Sequence, residues 1–171
     1  SLVSNVTLQI PKGHKSFIYV WTLSKRRELA SLISAFSQLK DKCMLYVLWT
    51  WNDEENLKKL AGENIVFLWH CSHDKVAQYI SSVDFGISFI PVTKQYNLQP
   101  PLKTIEYLWL WKPVLGTHTE GNKKFMDETN SVLIANYLDE VSIADAIRLI
   151  MWKEFNSEQI KINSKQFSWS H

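Results

Sequence analysis

Residues 16–39 read SFIYVWTLSKRRELASLISAFSQL. The first seven are almost all aromatic or β-branched, the composition of a strand buried on both faces. The period then changes. Leu29, Leu32, Ile33 and Phe36 recur at intervals of three and four, which is the spacing of an amphipathic helix, and Ser24 offers N-cap chemistry ahead of it. The segment therefore reads as strand, tight turn, helix. The same unit repeats along the chain. Further strands are expected at 44–50 (MLYVLWT), 64–70 (NIVFLWH), 85–90 (FGISFI), 113–116 (PVLG) and 132–134 (VLI). Helices are expected at 54–60, 75–80, 100–109, 120–129 and 141–152, with a helical tail from Ser157. Pro100 and Pro101 suit a helix opening, since proline is tolerated in a first turn. Strict alternation predicts a parallel sheet of about six strands with helices on both faces, a three-layer Rossmann-like α/β domain. The domain is expected over 16–171, with 1–15 as a linker or added segment.

Composition narrows the class. The chain has 171 residues, 46% of them hydrophobic, enough for one domain with a full core. A net charge of +2 gives no argument for nucleic-acid binding. Two cysteines, Cys43 and Cys71, do not make a disulfide framework, so a reducing compartment is expected. No run of eighteen apolar residues occurs and no secretory leader opens the chain. The expectation is a cytoplasmic protein. A pI near 8.5 also permits peripheral association with an anionic inner-membrane face.

In an open α/β sheet, ligands bind beyond the carboxyl ends of the strands, where the strand order reverses. For the order 3-2-1-4-5-6, strands one and four flank that crevice. Two loops then line it. The first, 22–27, carries Thr22, Ser24, Lys25, Arg26 and Arg27 at a helix start, which suits a diphosphate or else a solvated first turn. The second, 91–101, leads into a helix with Lys103 in its first turn, where a cation is disfavoured unless an anion lies near. Glu106, three residues on, is placed to accept ribose hydroxyls or simply to pair with Lys103. Gly121 and Asn122 open the helix after strand five, where they either approach a donor sugar or merely start that helix.

The stretch 100–117, PPLKTIEYLWLWKPVLGT, resembles the signature of the glycosyl transferases group 1 family, retaining glycosyltransferases of GT-B fold. Segments 19–36, 64–73 and 83–91 resemble the family's first, third and fourth strands with their flanks. The resemblance implies the carboxy-terminal domain that binds a nucleotide-diphospho-sugar, cut from a longer bacterial enzyme of glycan biosynthesis. It further implies that Glu106 holds the ribose, and that Thr22, Arg27 and Lys103 line the donor diphosphate. His70 and Cys71 would lie in the base-contacting loop. The family's first motif glutamate falls at Leu98, so one usual sugar contact is replaced. The acceptor domain would precede this one, leaving no catalytic residue here and little activity in isolation. No metal or other cofactor is expected: there is no Asp-x-Asp motif, and His70, Cys71 and His73 lack further ligands at zinc spacing.

Glycine and tryptophan counts are unusual. There are 5 glycines, about 3% of the chain, where about 7% is usual, and 8 tryptophans. Trp21, Trp51, Trp69 and Trp111 fall where the resembled family writes glycine, with Trp49 and Trp109 as further candidates. Two readings stay open: drift with aromatic packing, or a UGA codon that its host reads as glycine. Two other functions also stay open. A nucleotide-sugar epimerase of the same fold would need acid/base groups such as His118 and Glu120. A non-catalytic interaction module would make the Lys103 and Glu106 spacing a coincidence.

Overall fold

The computed structural model describes residues 7–21, 28–49, 54–68 and 71–167. Thr22, Ser24, Lys25, Arg26, Arg27, His70, Trp51 and Trp69 lie outside them, so the expectations placed on those residues are not addressed below. For Trp21, Trp49 and Glu54 only the backbone is described.

The elements run β1 (Lys15–Trp21), α1 (Ala30–Gln38), β2 (Cys43–Trp49), α2 (Glu54–Leu60), β3 (Ile65–Leu68), α3 (His73–Ser81), β4 (Phe85–Ser88), α4 (Leu102–Trp109), β5 (Val114–Thr117), α5 (Glu120–Lys123), β6 (Ser131–Ile134), α6 (Glu140–Trp152) and α7 (Ser157–Ser164). The six strands form one parallel sheet in the order β3-β2-β1-β4-β5-β6. The order reverses between β1 and β4. These two strands pair only over Phe17↔Phe85, Ile18↔Gly86 and Tyr19↔Ile87, so β1 and β4 part beyond Tyr19.

β1 sits centrally and divides the core by its alternation. Phe17 and Tyr19 point into the layer built with α1 and α6, among Leu32, Phe36, Ile143 and Ile147. Phe17 meets the rings of Phe36 and Phe85 at 5.0 and 4.9 Å. Ile18 and Val20 point into the opposite layer with Ile80, Tyr107, Leu108 and Ile160. Each such side chain, fully buried, contributes about 1.5–3 kcal/mol. This two-faced burial is why β1 is apolar at consecutive positions from Phe17 on rather than at every second one. Ahead of β1, Leu8 and Ile10 pack on the second layer, and the Tyr46 hydroxyl donates to the Gln9 carbonyl at 2.5 Å.

The strand expected over 85–90 ends at Ser88, and the first helix begins at Ala30 rather than near Arg26; α5 departs further. The helix expected over 120–129 is a single turn, Glu120–Lys123. Downstream of it the side chains compete for the backbone. Asp127 Oδ1 accepts from the Thr129 amide at 2.8 Å, and Asn130 Oδ1 accepts from the Asp127 amide at 2.9 Å. Short polar side chains that satisfy the backbone locally favour turns over helix.

Candidate functional site

The crevice forms where β1 and β4 part, and Tyr107 of α4 is the residue that holds them apart. Its hydroxyl accepts from the Val20 amide at 3.2 Å and donates to the Ile87 carbonyl at 3.0 Å. The ring is fully buried. Burial drives its hydroxyl well above the ordinary phenol range, with the Val20 amide pulling the other way, so it stays protonated as a donor. Its ring can lie against β4 because position 86 is glycine: a Cβ there would stand 2.3 Å from Tyr107 Cγ.

Tyr107 thus fixes α4 over the gap. Lys103 and Glu106 follow from that anchor, one turn and one residue before it. Lys103 Nζ donates to Glu106 Oε2 at 2.7 Å, with both side chains about one-fifth exposed. The pair neutralises a cation near the positive end of α4, where it would otherwise be disfavoured. It is screened from bulk water yet open on one side, unlike the exposed pair of Lys123 and Glu120 at 3.0 Å.

The floor behind the pair is a buried polar frame. Asn122 is fully buried, and its Oδ1 accepts from Thr104 Oγ1 at 2.7 Å and from Ser88 Oγ at 3.2 Å. Its Nδ2 donates to the Thr117 carbonyl at 2.9 Å, and its amide donates to the N-cap Thr119 Oγ1 at 3.1 Å. Thr117 Oγ1 in turn donates to the Ile90 carbonyl at 2.6 Å and accepts from the Ile90 amide at 3.0 Å. This one network ties β4, α4, β5 and α5 together, so the crevice wall is rigid. All three of these Asn122 side-chain bonds are made inside the domain.

The 91–101 loop is pinned to that frame. The Gly121 amide donates to the Asn97 carbonyl at 2.9 Å, and the Glu120 amide to Asn97 Oδ1 at 3.1 Å. A Cβ on Gly121 would stand 2.2 Å from the Gln99 carbonyl oxygen, so the loop lies on bare backbone. Leu98, where the resembled family's first motif glutamate is expected, is 71% exposed in this loop. Leu102 beside it is also exposed.

The remaining expected residues fall around this centre. Cys71 precedes α3 at the carboxyl end of β3; burial raises its thiol and Lys75 opposes that. His118 Nδ1 lies 3.0 Å from the Ile134 carbonyl. Among the described residues, no three His, Cys, Asp or Glu side chains are grouped to hold a metal, and no helix is long and apolar enough to cross a membrane. An open groove of about 590 Å³ lies at the opposite end of the sheet, by the amino ends of β1 and β2, lined by Lys15, Lys42, Arg148 and Trp152 among others. Sequence reasoning reached Lys103 and Glu106 but missed Tyr107, Thr104, Ser88 and Thr117. Their only sequence signal is a polar atom inside an apolar run.

Comparison with known proteins agrees with this architecture. The profile of the family described as Glycosyl transferases group 1 matches residues 5–167. Sucrose-phosphate synthase from Thermosynechococcus elongatus is similar in structure, with a TM-score of 0.68 at 18% identity over 91% of this chain and 40% of that one. The catalytic domain of cholesterol-alpha-glucosyltransferase from Helicobacter pylori gives 0.67 at 15% identity, over 90% of this chain and 99% of that one. The carboxy-terminal domain of a group 1 family glycosyl transferase from Francisella tularensis gives 0.64 at 12% identity, over 88% and 80%. This chain therefore spans well under half of the synthase. No curated protein sequence matches it.

Proposed function

The chain belongs to the glycosyl transferases group 1 family, and from that premise we propose that it is the donor half of a retaining glycosyltransferase, binding a nucleotide-diphospho-sugar in the crevice between β1 and β4. The observation that carries this reading is the Lys103–Glu106 pair, held at the switch point by Tyr107. A largely buried ammonium beside a helix amino end is suited to an anionic oxygen of the diphosphate. The carboxylate it now neutralises is suited to two ribose hydroxyls, which it accepts in one plane. Arg27 and Thr22 would close the diphosphate from the β1 side, and the loop of His70 and Cys71 would meet the base.

Transfer itself needs an acceptor, which we place on a preceding domain of a longer chain. The short span of this chain on the synthase supports that arrangement. The donor chemistry, the retaining outcome, a cytoplasmic site of action and any contact with a membrane face all belong to this proposal. Titration with UDP, GDP and ADP tests it. One nucleotide should bind, and the affinity should fall in Glu106→Gln. Lack of binding by all three, in a chain shown to be folded, would contradict the reading and favour a non-catalytic interaction module.

A further inference from the structure

We infer that position 111 is glycine in the protein its native host makes, because the codon written here as tryptophan is a UGA that the host reads as glycine. The inference rests on backbone geometry and composition, and it goes beyond the reading of the crevice.

Helix α4 ends with two bonds. The Trp111 amide donates to the Leu108 carbonyl at 3.0 Å, and the Lys112 amide to the Tyr107 carbonyl at 3.0 Å. That pair of bonds closes a helix only when the residue after the C-cap is left-handed, which is glycine's place. Leu110 is the C-cap, and Trp111 has φ +65°. Among the described non-glycine residues only Glu28 shares a positive φ. The turn cannot relax cheaply. On one side Tyr107 is locked between Val20 and Ile87, and on the other Lys112 and Pro113 enter β5.

The indole does not explain the residue's presence. It is 45% exposed, with the Lys161 ammonium 4.5 Å from the ring. Trp109, two residues earlier, is the internal control. It lies within the helix, and its Nε1 donates to the Ser164 carbonyl at 3.1 Å, joining α4 to α7. A tryptophan at 109 is what that contact requires. A tryptophan at 111 is what its backbone disfavours. The chain also holds only 5 glycines against 8 tryptophans. One reassigned codon accounts for all of this: UGA at 111 and UGG at 109. The same reading bears on the crevice, because Trp21 ends β1 at its edge.

The test is to read the gene at both codons and to sequence the native protein's peptides by mass spectrometry. Expected are UGA with glycine at 111 and UGG with tryptophan at 109. UGG at 111, or an indole at 111 in the native peptide, overturns the inference. Recombinant variants give an independent measurement. Trp111→Gly should raise Tm by roughly 2–4 °C, the shift expected of a relieved left-handed residue in a domain of this size. Trp109→Gly should lower it. A fall in Tm for Trp111→Gly overturns the structural basis. None of these readouts depends on nucleotide binding, so failure of the donor reading would leave them intact.

Discussion

The ring of Tyr107 occupies the space where any side chain on Gly86 would have to stand, 2.3–2.6 Å from an added Cβ. That contact sets the height of α4 above the sheet. It also lets the Tyr107 hydroxyl reach Val20 and Ile87, where β1 and β4 stop pairing. The crevice is thus opened by one side chain and permitted by the absence of another.

Gly86→Ala should therefore destabilise the domain by about 1–3 kcal/mol through overpacking. Tyr107→Phe should cost a similar amount by a different route, since a buried amide and a carbonyl each lose a partner. Urea unfolding followed by circular dichroism measures both. Equal stability of Gly86→Ala and the parent would contradict the packing argument.

If Lys103 and Glu106 served only as a helix-face ion pair, removing either charge would change stability by at most about 1 kcal/mol and nothing else. For a donor site, Lys103→Met and Glu106→Gln should each weaken nucleotide binding about tenfold or more, equivalent to at least about 1.4 kcal/mol. Calorimetric titration of the folded variants separates the two cases.

Gly121→Ala places a Cβ against the Gln99 carbonyl at 2.2 Å and should push the 91–101 loop off α5. The bond from the Gly121 amide to Asn97 would break with it. The expected readout is faster hydrogen exchange at 121 and faster proteolysis within 92–99, with the far half of the sheet unchanged. Uniform loosening of the whole domain would point to global destabilisation instead.

Burial pushes the Cys43 thiol up to about 12 from an ordinary value of 9.0. The folded state thus holds its proton where the unfolded chain releases it. This contribution is intact below about pH 9 and is lost as pH rises from 9 toward 12. Cys43→Ala or Cys43→Val should flatten the alkaline limb of stability against pH. In the parent, a thiol reagent at pH 8 should label the partly exposed Cys71 and spare Cys43 until unfolding.

The strand-helix alternation was legible because β1 and β2 are apolar at nearly every position, which only a sheet covered on both faces demands. Lys103 and Glu106 were legible because three-residue spacing after a double proline places them together in a first turn and a half. The extent of α5 was misjudged, because Asp127 and Asn130 take backbone partners that periodicity does not register. Asn122 reads in sequence as a donor-sugar contact or an ordinary helix start, and neither reading registers the buried frame it holds. Its side chain bonds to Ser88, Thr104 and Thr117, which lie 34, 18 and 5 residues away.

The sequence by itself determined the layered α/β class, the chain position of the 91–101 loop and the family. Each of these rests on periodicity or on residues close together along the chain. Tertiary structure alone decided that β1 neighbours β4, that Tyr107 splits them, and that a tryptophan occupies a left-handed turn. Those facts depend on which strands meet and on the sign of a backbone angle, and neither is written in the spacing of side chains.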